Sequence, residues 1–145
     1  MLLKKCGKKL KIVFIKLRIN CIGENKLERV IEFHKEGYNC AESVLKAFNE
    51  DTGLDIPVAI ASPFGSGMTV GSTCGAITGI LMAVGALKGR NTNEEKNNSR
   101  ILTKEIITQI KEKYGTIECI ELKKKGITCD EIIEYAYGLL KNYTK

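Results

Sequence analysis

The sequence predicts an all-α fold, a single-domain bundle of five or six helices arranged around one central helix of small residues. Three observations lead to this prediction. Apolar residues recur at helical spacing in nearly every segment after residue 24. Glycines stand between these segments, where helices commonly end. The segment 74–87 is apolar almost all round, as expected of a helix that is buried on every side.

Length and charge indicate one globular domain preceded by a basic segment. A chain of 145 residues can bury a core, and 43% apolar with only 6% aromatic residues predicts a mainly aliphatic interior. The formal charge of +6 arises in the first 23 residues, which hold seven basic side chains and no acidic one. The remainder has 16 basic and 17 acidic residues. We therefore divide the chain into a basic N-terminal segment, 1–23, peripheral or disordered, and a helical domain, 24–145.

Two helices precede the middle of the chain. The first carries its apolar residues at helical spacing, and His34, the only histidine, lies on the same face. The second is predicted over about 40–50, because Asn39 and Glu42 have the spacing of a capping box. The segment 54–61 is predicted to form a short helix with a proline in its first turn.

A glycine-rich loop, 62–71, leads into the central helix, 74–87. Glycine inside a helix costs about 1 kcal/mol relative to alanine. Gly75, Gly79 and Gly85 are therefore expected to mark the close approach of a neighbouring helix or of a group bound near the helix start. The loop lacks the Gly-Lys-Ser/Thr ending of a phosphate-binding loop, so no nucleotide is expected. We expect its backbone instead to pass close to the sulfur site described below.

Three further helices are predicted in the last third of the chain. They cover about 94–114, 118–124 and 129–143, and Gly115 and Gly126 separate them. We find no internal repeat, linker or second domain. No run of about 18 uncharged apolar residues exists, so no membrane span is expected.

Four of the six cysteines stand where a helix is predicted to begin: Cys40, Cys74, Cys119 and Cys129. The first and last lie in capping boxes. Hydroxyl residues are expected to cap the other two helices, Ser72 or Thr73 before Cys74 and Thr116 before Cys119. A helix start presents unpaired N–H groups and the positive end of the helix dipole, which favour thiolate over thiol. Because thiolate binds metals and attacks disulfides, the pattern predicts sulfur chemistry.

Several function classes are disfavoured. Cys-x-x-Cys is absent, which argues against zinc fingers and thioredoxin-like proteins, and no Cys-x-x-Cys-His exists for covalent haem. The nearly neutral domain argues against nucleic-acid binding. One histidine cannot supply a Ser/His/Asp set, so an enzyme, if this is one, would be an oxidoreductase. Six cysteines without a signal peptide indicate a reducing cytoplasm without lasting disulfides.

The segments 37–41 (Gly-Tyr-Asn-Cys-Ala) and 71–79 (Gly-Ser-Thr-Cys-Gly-Ala-Ile-Thr-Gly), followed by Cys119 and Cys129, resemble the C_GCAxxG_C_C family of redox-active proteins. The resemblance covers roughly residues 26–140. Cys6 and Cys21 have no place in its pattern. It implies a small bacterial or archaeal protein with four functional cysteines, often associated with oxidoreductase or transport systems. Split-Soret-type cytochromes carry a similar domain, which favours electron transfer and an iron–sulfur cluster.

The leading hypothesis is electron transfer to a redox partner protein through an iron–sulfur cluster, most simply a two-iron one, held by Cys40, Cys74, Cys119 and Cys129. A first alternative is a metal-free thiol–disulfide protein that pairs Cys119 with Cys129, or Cys40 with Cys74. A second is a non-enzymatic module that binds zinc or a partner through the same four sulfurs. A homo-oligomer stays open. His34 is expected to be a partly buried structural residue, with a role as ligand or proton donor as the alternative.

Overall fold

The computed structural model describes residues 26–144, so the basic segment 1–23, with Cys6 and Cys21, lies outside the described residues. Six α-helices run through the described part: α1 26–35, α2 Cys40–Thr52, α3 Gly75–Lys88, α4 Ser99–Tyr114, α5 Cys119–Lys124 and α6 Cys129–Lys141. A 3₁₀ helix, Val58–Phe64, and a tight turn, Gly67–Gly71, connect α2 to α3. The all-α prediction is confirmed. Within residues 26–144 the sole β-type pairing is an isolated bridge between Thr73 and Glu118.

Helix α3 lies at the centre of the bundle, as its small and aliphatic residues predict. It packs against α2, α4, α6 and the 3₁₀ helix. Gly79 allows α2 to approach closely, because a Cβ there would lie 2.9 Å from the carbonyl oxygen of Ala41 on α2. Gly85 has nothing within 4 Å of such a Cβ, so the expectation of a close neighbour is wrong at that position.

The core is mainly aliphatic and includes a few aromatic residues. Helices α4 and α6 bury the stripes that their periodicity predicts, including Ile106 and Ile110 on α4 and Ile133 and Leu140 on α6. Three aromatic side chains are also fully buried: Phe33, Phe48 and Tyr137. These contacts pack the other helices around α3. The candidate functional site described below is formed by the ends of the helices.

Two predicted boundaries are wrong, for local reasons. Helix α4 begins at Ser99 rather than near residue 94. The side chain of Asn97 accepts a hydrogen bond from the Ser99 N–H at 3.2 Å, and such a side chain competes with helical hydrogen bonding. The short helix expected at 54–61 is a 3₁₀ helix that starts at Val58, directly after Pro57.

Helices α1 and α6 run antiparallel, and polar contacts join them at both ends. At the end that we call the far end, buried Tyr137 donates a hydrogen bond to Asp51 at the C-terminus of α2, with an O–O distance of 2.6 Å. Lys26 pairs with the other oxygen of this carboxylate at 3.2 Å. At the opposite end, His34 meets Asp130. No helix in the described residues is both long and apolar enough to cross a membrane.

Candidate functional site

All four predicted site cysteines lie at helix starts at one end of the bundle, which we call the cysteine end. Cys40, Cys119 and Cys129 are the first residues of α2, α5 and α6, and Cys74 directly precedes α3. The side chains of Cys40, Cys74 and Cys119 are buried, with 7%, 4% and 7% exposure. Cys129 is partly exposed. None of these four cysteines forms a disulfide.

The capping box before Cys40 forms as predicted. The Asn39 side chain accepts a hydrogen bond from the Glu42 N–H, and the Glu42 carboxylate accepts one from the Asn39 N–H, both at 2.9 Å. Glu42 also accepts a hydrogen bond from the Ser62 hydroxyl at 2.6 Å. The cap therefore fixes Cys40 and also ties the 3₁₀ helix to the start of α2.

The start of α6 has the expected side-chain cap, whereas the starts of α3 and α5 do not. Thr128 accepts a hydrogen bond from the Glu131 N–H at 3.2 Å. Cys74 itself occupies the cap position of α3, and no side-chain hydrogen bond caps that helix. Thr116 accepts from the Glu118 N–H at 3.1 Å, one residue before α5 begins, so it forms a preceding turn rather than the predicted cap.

Two backbone hydrogen bonds fix Cys74 and Cys119 beside each other. The Cys74 N–H donates to the Ile117 carbonyl at 2.9 Å, and the Cys119 N–H donates to the Ser72 carbonyl at 2.7 Å. Side chains alternate in direction along extended backbone, so both cysteines point to the same face of this two-residue ribbon. Sequence periodicity gives no signal for this pairing, because it joins two connections rather than two helices.

Two glycines let the backbone approach the cysteines closely. A Cβ at Gly75 would overlap the Cys40 sulfur and lie 2.8 Å from the Phe64 carbonyl oxygen. A Cβ at Gly67 would lie 2.7 Å from the Cys119 Cβ. The expected close approach is therefore confirmed at Gly75 and for the glycine-rich loop. The loop packs directly on the site.

The same loop contains a left-handed turn of four successive residues, Ser66, Gly67, Met68 and Thr69, with φ between 53° and 67°. Only glycine visits this region without a steric penalty. Three of the four residues are not glycine, and Thr69 is β-branched, so the turn is strained. Such strain persists where surrounding contacts hold it and is common at functional sites. Sequence reasoning missed this turn and predicted only a loop.

Burial and neighbouring cysteines affect the ionisation of Cys74 and Cys129. Burial raises the pKa of Cys74 from 9.0 to about 12, and the charges of Cys40 and Cys119 add to the rise. Burial also raises the pKa of Cys129, again with contributions from Cys40 and Cys119. Because such coupling weakens with distance, Cys74 and Cys129 each lie near both of the other cysteines.

The expectation that helix starts favour thiolate is therefore wrong for Cys74 and Cys129. The N–H groups of Ala76 and Ile77 at the start of α3 lower the pKa of Cys74, but burial outweighs them. Lys123 lowers the pKa of Cys129, and burial again dominates. A buried thiol without a nearby cation stays protonated near neutral pH, whereas a bound metal deprotonates its cysteine ligands.

His34, on α1, is paired with Asp130 at the start of α6. Its Nδ1 lies 2.8 Å from the Asp130 carboxylate, next to Cys129 in the first turn of α6. The histidine side chain is 26% exposed. The pair joins α1 to the start of α6, in agreement with the expected partly buried structural role.

The four thiols belong to the ligand type that structural zinc ions and iron–sulfur clusters both use. Within residues 26–144, no three side chains among His, Cys, Asp and Glu lie close enough together to hold one metal ion. A structural zinc ion needs all its cysteine sulfurs about 2.3 Å from one point. Cys40, Cys74, Cys119 and Cys129 would supply the thiolates of an iron–sulfur group, and such a group would add one-electron redox chemistry.

The described residues form a small all-α protein with four cysteines at helix starts at one end. Residues 38–143 match the model of the family described as "Putative redox-active protein (C_GCAxxG_C_C)". This chain belongs to that family. The matched range contains Cys40, Cys74, Cys119 and Cys129 and excludes Cys6 and Cys21. Searches of curated proteins and of solved structures found no match.

Proposed function

We propose that this protein transfers single electrons in a reducing cytoplasm through an iron–sulfur cluster, most simply a two-iron one, held by Cys40, Cys74, Cys119 and Cys129. One observation carries the proposal: four cysteines, three of them buried, lie at helix starts at one end of the bundle around closely packed backbone. When bound, the cluster would supply a centre that accepts and releases one electron.

The chain's own groups have three roles in this proposal. The cysteines hold the group as thiolates, and the glycines at 67 and 75 allow backbone to close over it and exclude water. The starts of α2, α3, α5 and α6 direct the positive ends of their dipoles to the site, and this stabilises negative charge there. The bridge between Thr73 and Glu118 keeps two of the four sulfurs in register.

Burial counts against the metal-free disulfide alternative at Cys74. Disulfide exchange needs an accessible thiolate. Cys74 is 4% exposed and its pKa is raised to about 12, which makes it a poor nucleophile. The zinc alternative uses the same four thiols, and metal analysis of the freshly purified protein distinguishes it from the cluster.

A small apolar surface beside the site supports brief contact with a redox partner protein. Val70 and Met68 on the turn are 80% and 39% exposed, and Ile120 on α5 is 51% exposed. The turn and α5 are in contact, since a Cβ at Gly71 would lie 3.3 Å from the Ile120 Cβ. Stable interfaces use about 20–30 residues a side, whereas electron-transfer contacts are smaller. Three side chains favour a transient partner over a stable homo-oligomer.

The cluster proposal is tested by anaerobic reconstitution with iron and sulfide. We expect visible absorption in the oxidised protein and an electron paramagnetic resonance signal after reduction by one electron. Cys74→Ser should abolish both, whereas the Cys6→Ser/Cys21→Ser double variant should keep them, because neither residue belongs to the family pattern. A wild-type protein that stays colourless and free of iron would refute the proposal.

The partner surface is tested by stopped-flow electron transfer from the reduced protein to a soluble c-type cytochrome. Val70→Ser should slow the reaction and leave the iron content unchanged. Ile101→Ser is the matched control, because Ile101 is 63% exposed on α4 and belongs to no contact of the site. Equal electron-transfer rates in the two variants would show that the apolar surface is not the contact for the redox partner.

A further inference from the structure

We propose that the basic N-terminal segment, 1–23, docks on its own domain in a groove between α1 and α6. This groove has a volume of about 560 Å³. Its lining consists of five residues of α1 and one of α6: Leu27, Glu28, Ile31, Glu32, Lys35 and Glu134. None of the four site cysteines lines it, so the inference goes beyond the proposed function and does not depend on it.

The floor of the groove is apolar. Leu27 and Ile31 are one helical turn apart on α1, so their side chains are neighbours on the same face. Both pack against the core and keep part of their surface exposed. Gly138 on α6 lies next to Leu27 and contributes no side chain that would cover it. The groove therefore offers a strip of apolar surface to a bound segment.

The walls of the groove are mainly acidic. Glu32 already pairs with Arg29 at 2.9 Å. Within residues 26–144, neither Glu28 nor Glu134 forms an ion pair. Glu28 lies in the first turn of α1, where the helix dipole stabilises an acid, but Glu134 lies in the middle of α6 and has no such support. Three acids against Lys35 alone favour a basic occupant.

The sequence of the N-terminal segment complements both features of the groove. The segment holds seven basic side chains and no acidic one. Over residues 15–19, apolar and basic residues alternate, with Lys16 and Arg18 between three aliphatic side chains. On extended backbone such alternation separates an apolar face from a basic one. The apolar face matches the floor, and the long basic side chains are able to reach back to the acidic walls.

The position of the segment in the chain favours it over any other basic peptide. It ends directly before α1, so it is present at a high effective concentration next to the groove. Residues 20–25 connect the alternating stretch to α1, and a connection of six residues is long enough to reverse the chain. These six include Asn20, Gly23 and Asn25, which are residue types that favour turns. Five extended residues span roughly 17 Å, and the ten residues of α1 span roughly 15 Å.

Limited proteolysis of the full-length protein tests the docking. Phe14 is the only aromatic residue of the segment, so chymotrypsin cleavage after it, followed by mass spectrometry, reports how accessible the segment is. Glu28→Gln/Glu134→Gln should raise the cleavage rate about two- to tenfold, because two ion pairs are lost. The control Glu94→Gln/Glu112→Gln removes the same charge at exposed positions outside the groove and should leave the rate unchanged. Equal rates in the two double variants would overturn the inference.

A charge swap identifies the occupant of the groove. Glu28→Lys/Glu134→Lys and Lys16→Glu/Arg18→Glu should each speed cleavage, and the two pairs combined in one chain should return the rate to within about twofold of wild type. Without this return, the groove binds something other than the segment, and the inference is overturned. Cleavage that slows as the protein concentration rises would mean that the segment docks on a second copy, which also overturns it. These measurements need no iron, so their outcome is separate from that of the proposed function.

Discussion

The two ends of this bundle differ in whether their polar groups and backbone are satisfied locally, although α2 and α6 reach both ends. At the far end, Tyr137, Asp51 and Lys26 satisfy one another, so each polar group there has a partner. At the cysteine end, the backbone turns left-handed through Ser66–Thr69, and burial raises the pKa of Cys74 and Cys129. Roughly 16 Å of helix separates Cys40 from Asp51 along α2.

This contrast indicates what each end does. The contacts at the far end join three helices, and their polar groups satisfy one another. We interpret this end as structural. The cysteine end contains the strained left-handed turn and buried, protonated thiols, and no neighbouring side chain in the described part of the chain offsets either cost. Natural proteins depart from local preferences mainly at functional sites, and the departures here gather around the four cysteines.

The largest expected effect concerns the reactivity of Cys74 in the metal-free protein. With a pKa raised from 9.0 to about 12, its thiolate fraction at pH 8 is roughly a thousandfold below that of an ordinary thiol. Alkylation by iodoacetamide, followed by peptide mass spectrometry, should therefore leave Cys74 unmodified long after Cys129 has reacted.

The pH dependence of this labelling has a definite sign. The Cys74 rate should keep rising about tenfold per pH unit beyond 9, where the rate of the same residue in urea levels off. Since the folded pKa lies above the unfolded one, folding stability from this thiol is present below pH 9 and is lost as pH rises toward 12. Equal labelling of folded and unfolded Cys74 would contradict the account.

The next largest effect compares two glycines of the same helix. Gly75→Ala should abolish iron binding and destabilise the protein by about 1–3 kcal/mol, because the new Cβ overlaps the Cys40 sulfur. Gly85→Ala meets nothing within 4 Å and should stabilise α3 by up to about 1 kcal/mol, with full iron content. Urea unfolding and iron analysis measure both. A Gly75→Ala protein that binds iron normally would show that the close contact is not required.

The far end should respond in stability alone. Tyr137→Phe removes the hydrogen bond to Asp51, but the carboxylate keeps Lys26, so a loss of about 1–2 kcal/mol is expected. Iron content and the labelling order of the cysteines should not change. If this substitution altered either, the two ends would not be independent.

The smallest effect tests the strained turn. Thr69→Gly should stabilise the protein by about 0.5–1 kcal/mol, because glycine accepts a φ of 67° without strain. Thr108→Gly, at an exposed position of α4, should destabilise it by about 0.5 kcal/mol. Thermal unfolding of the two variants distinguishes these opposite signs. Destabilisation at both positions would mean that the turn carries no strain.

The sequence predicted the features that depend on local signals. The capping box of Asn39 and Glu42, the stops at Gly115 and Gly126, and the placement of four cysteines at helix starts are all present. Each of these features is encoded within a few neighbouring residues. The helical fold follows from them because the apolar stripes leave one consistent way to bury α3.

What the sequence did not predict depends on contacts between distant segments. Cys74 itself occupies the cap position of α3, because the bridge between Thr73 and Glu118 holds the backbone there extended. Its raised pKa follows from burial, which no local pattern reports. The left-handed turn at Thr69 opposes the intrinsic preference of a β-branched residue, so propensity could not indicate it.

The central claim is that Cys40, Cys74, Cys119 and Cys129 act as one metal-binding site. The most direct test uses the Cys6→Ser/Cys21→Ser variant, in which these four thiols are the only ones left. Iron, sulfide and free thiols are counted in the same sample after anaerobic reconstitution and desalting. We predict about two irons, about two sulfides and no thiol that reacts without prior acid release of the metal. Four reactive thiols in a protein without iron would contradict the claim.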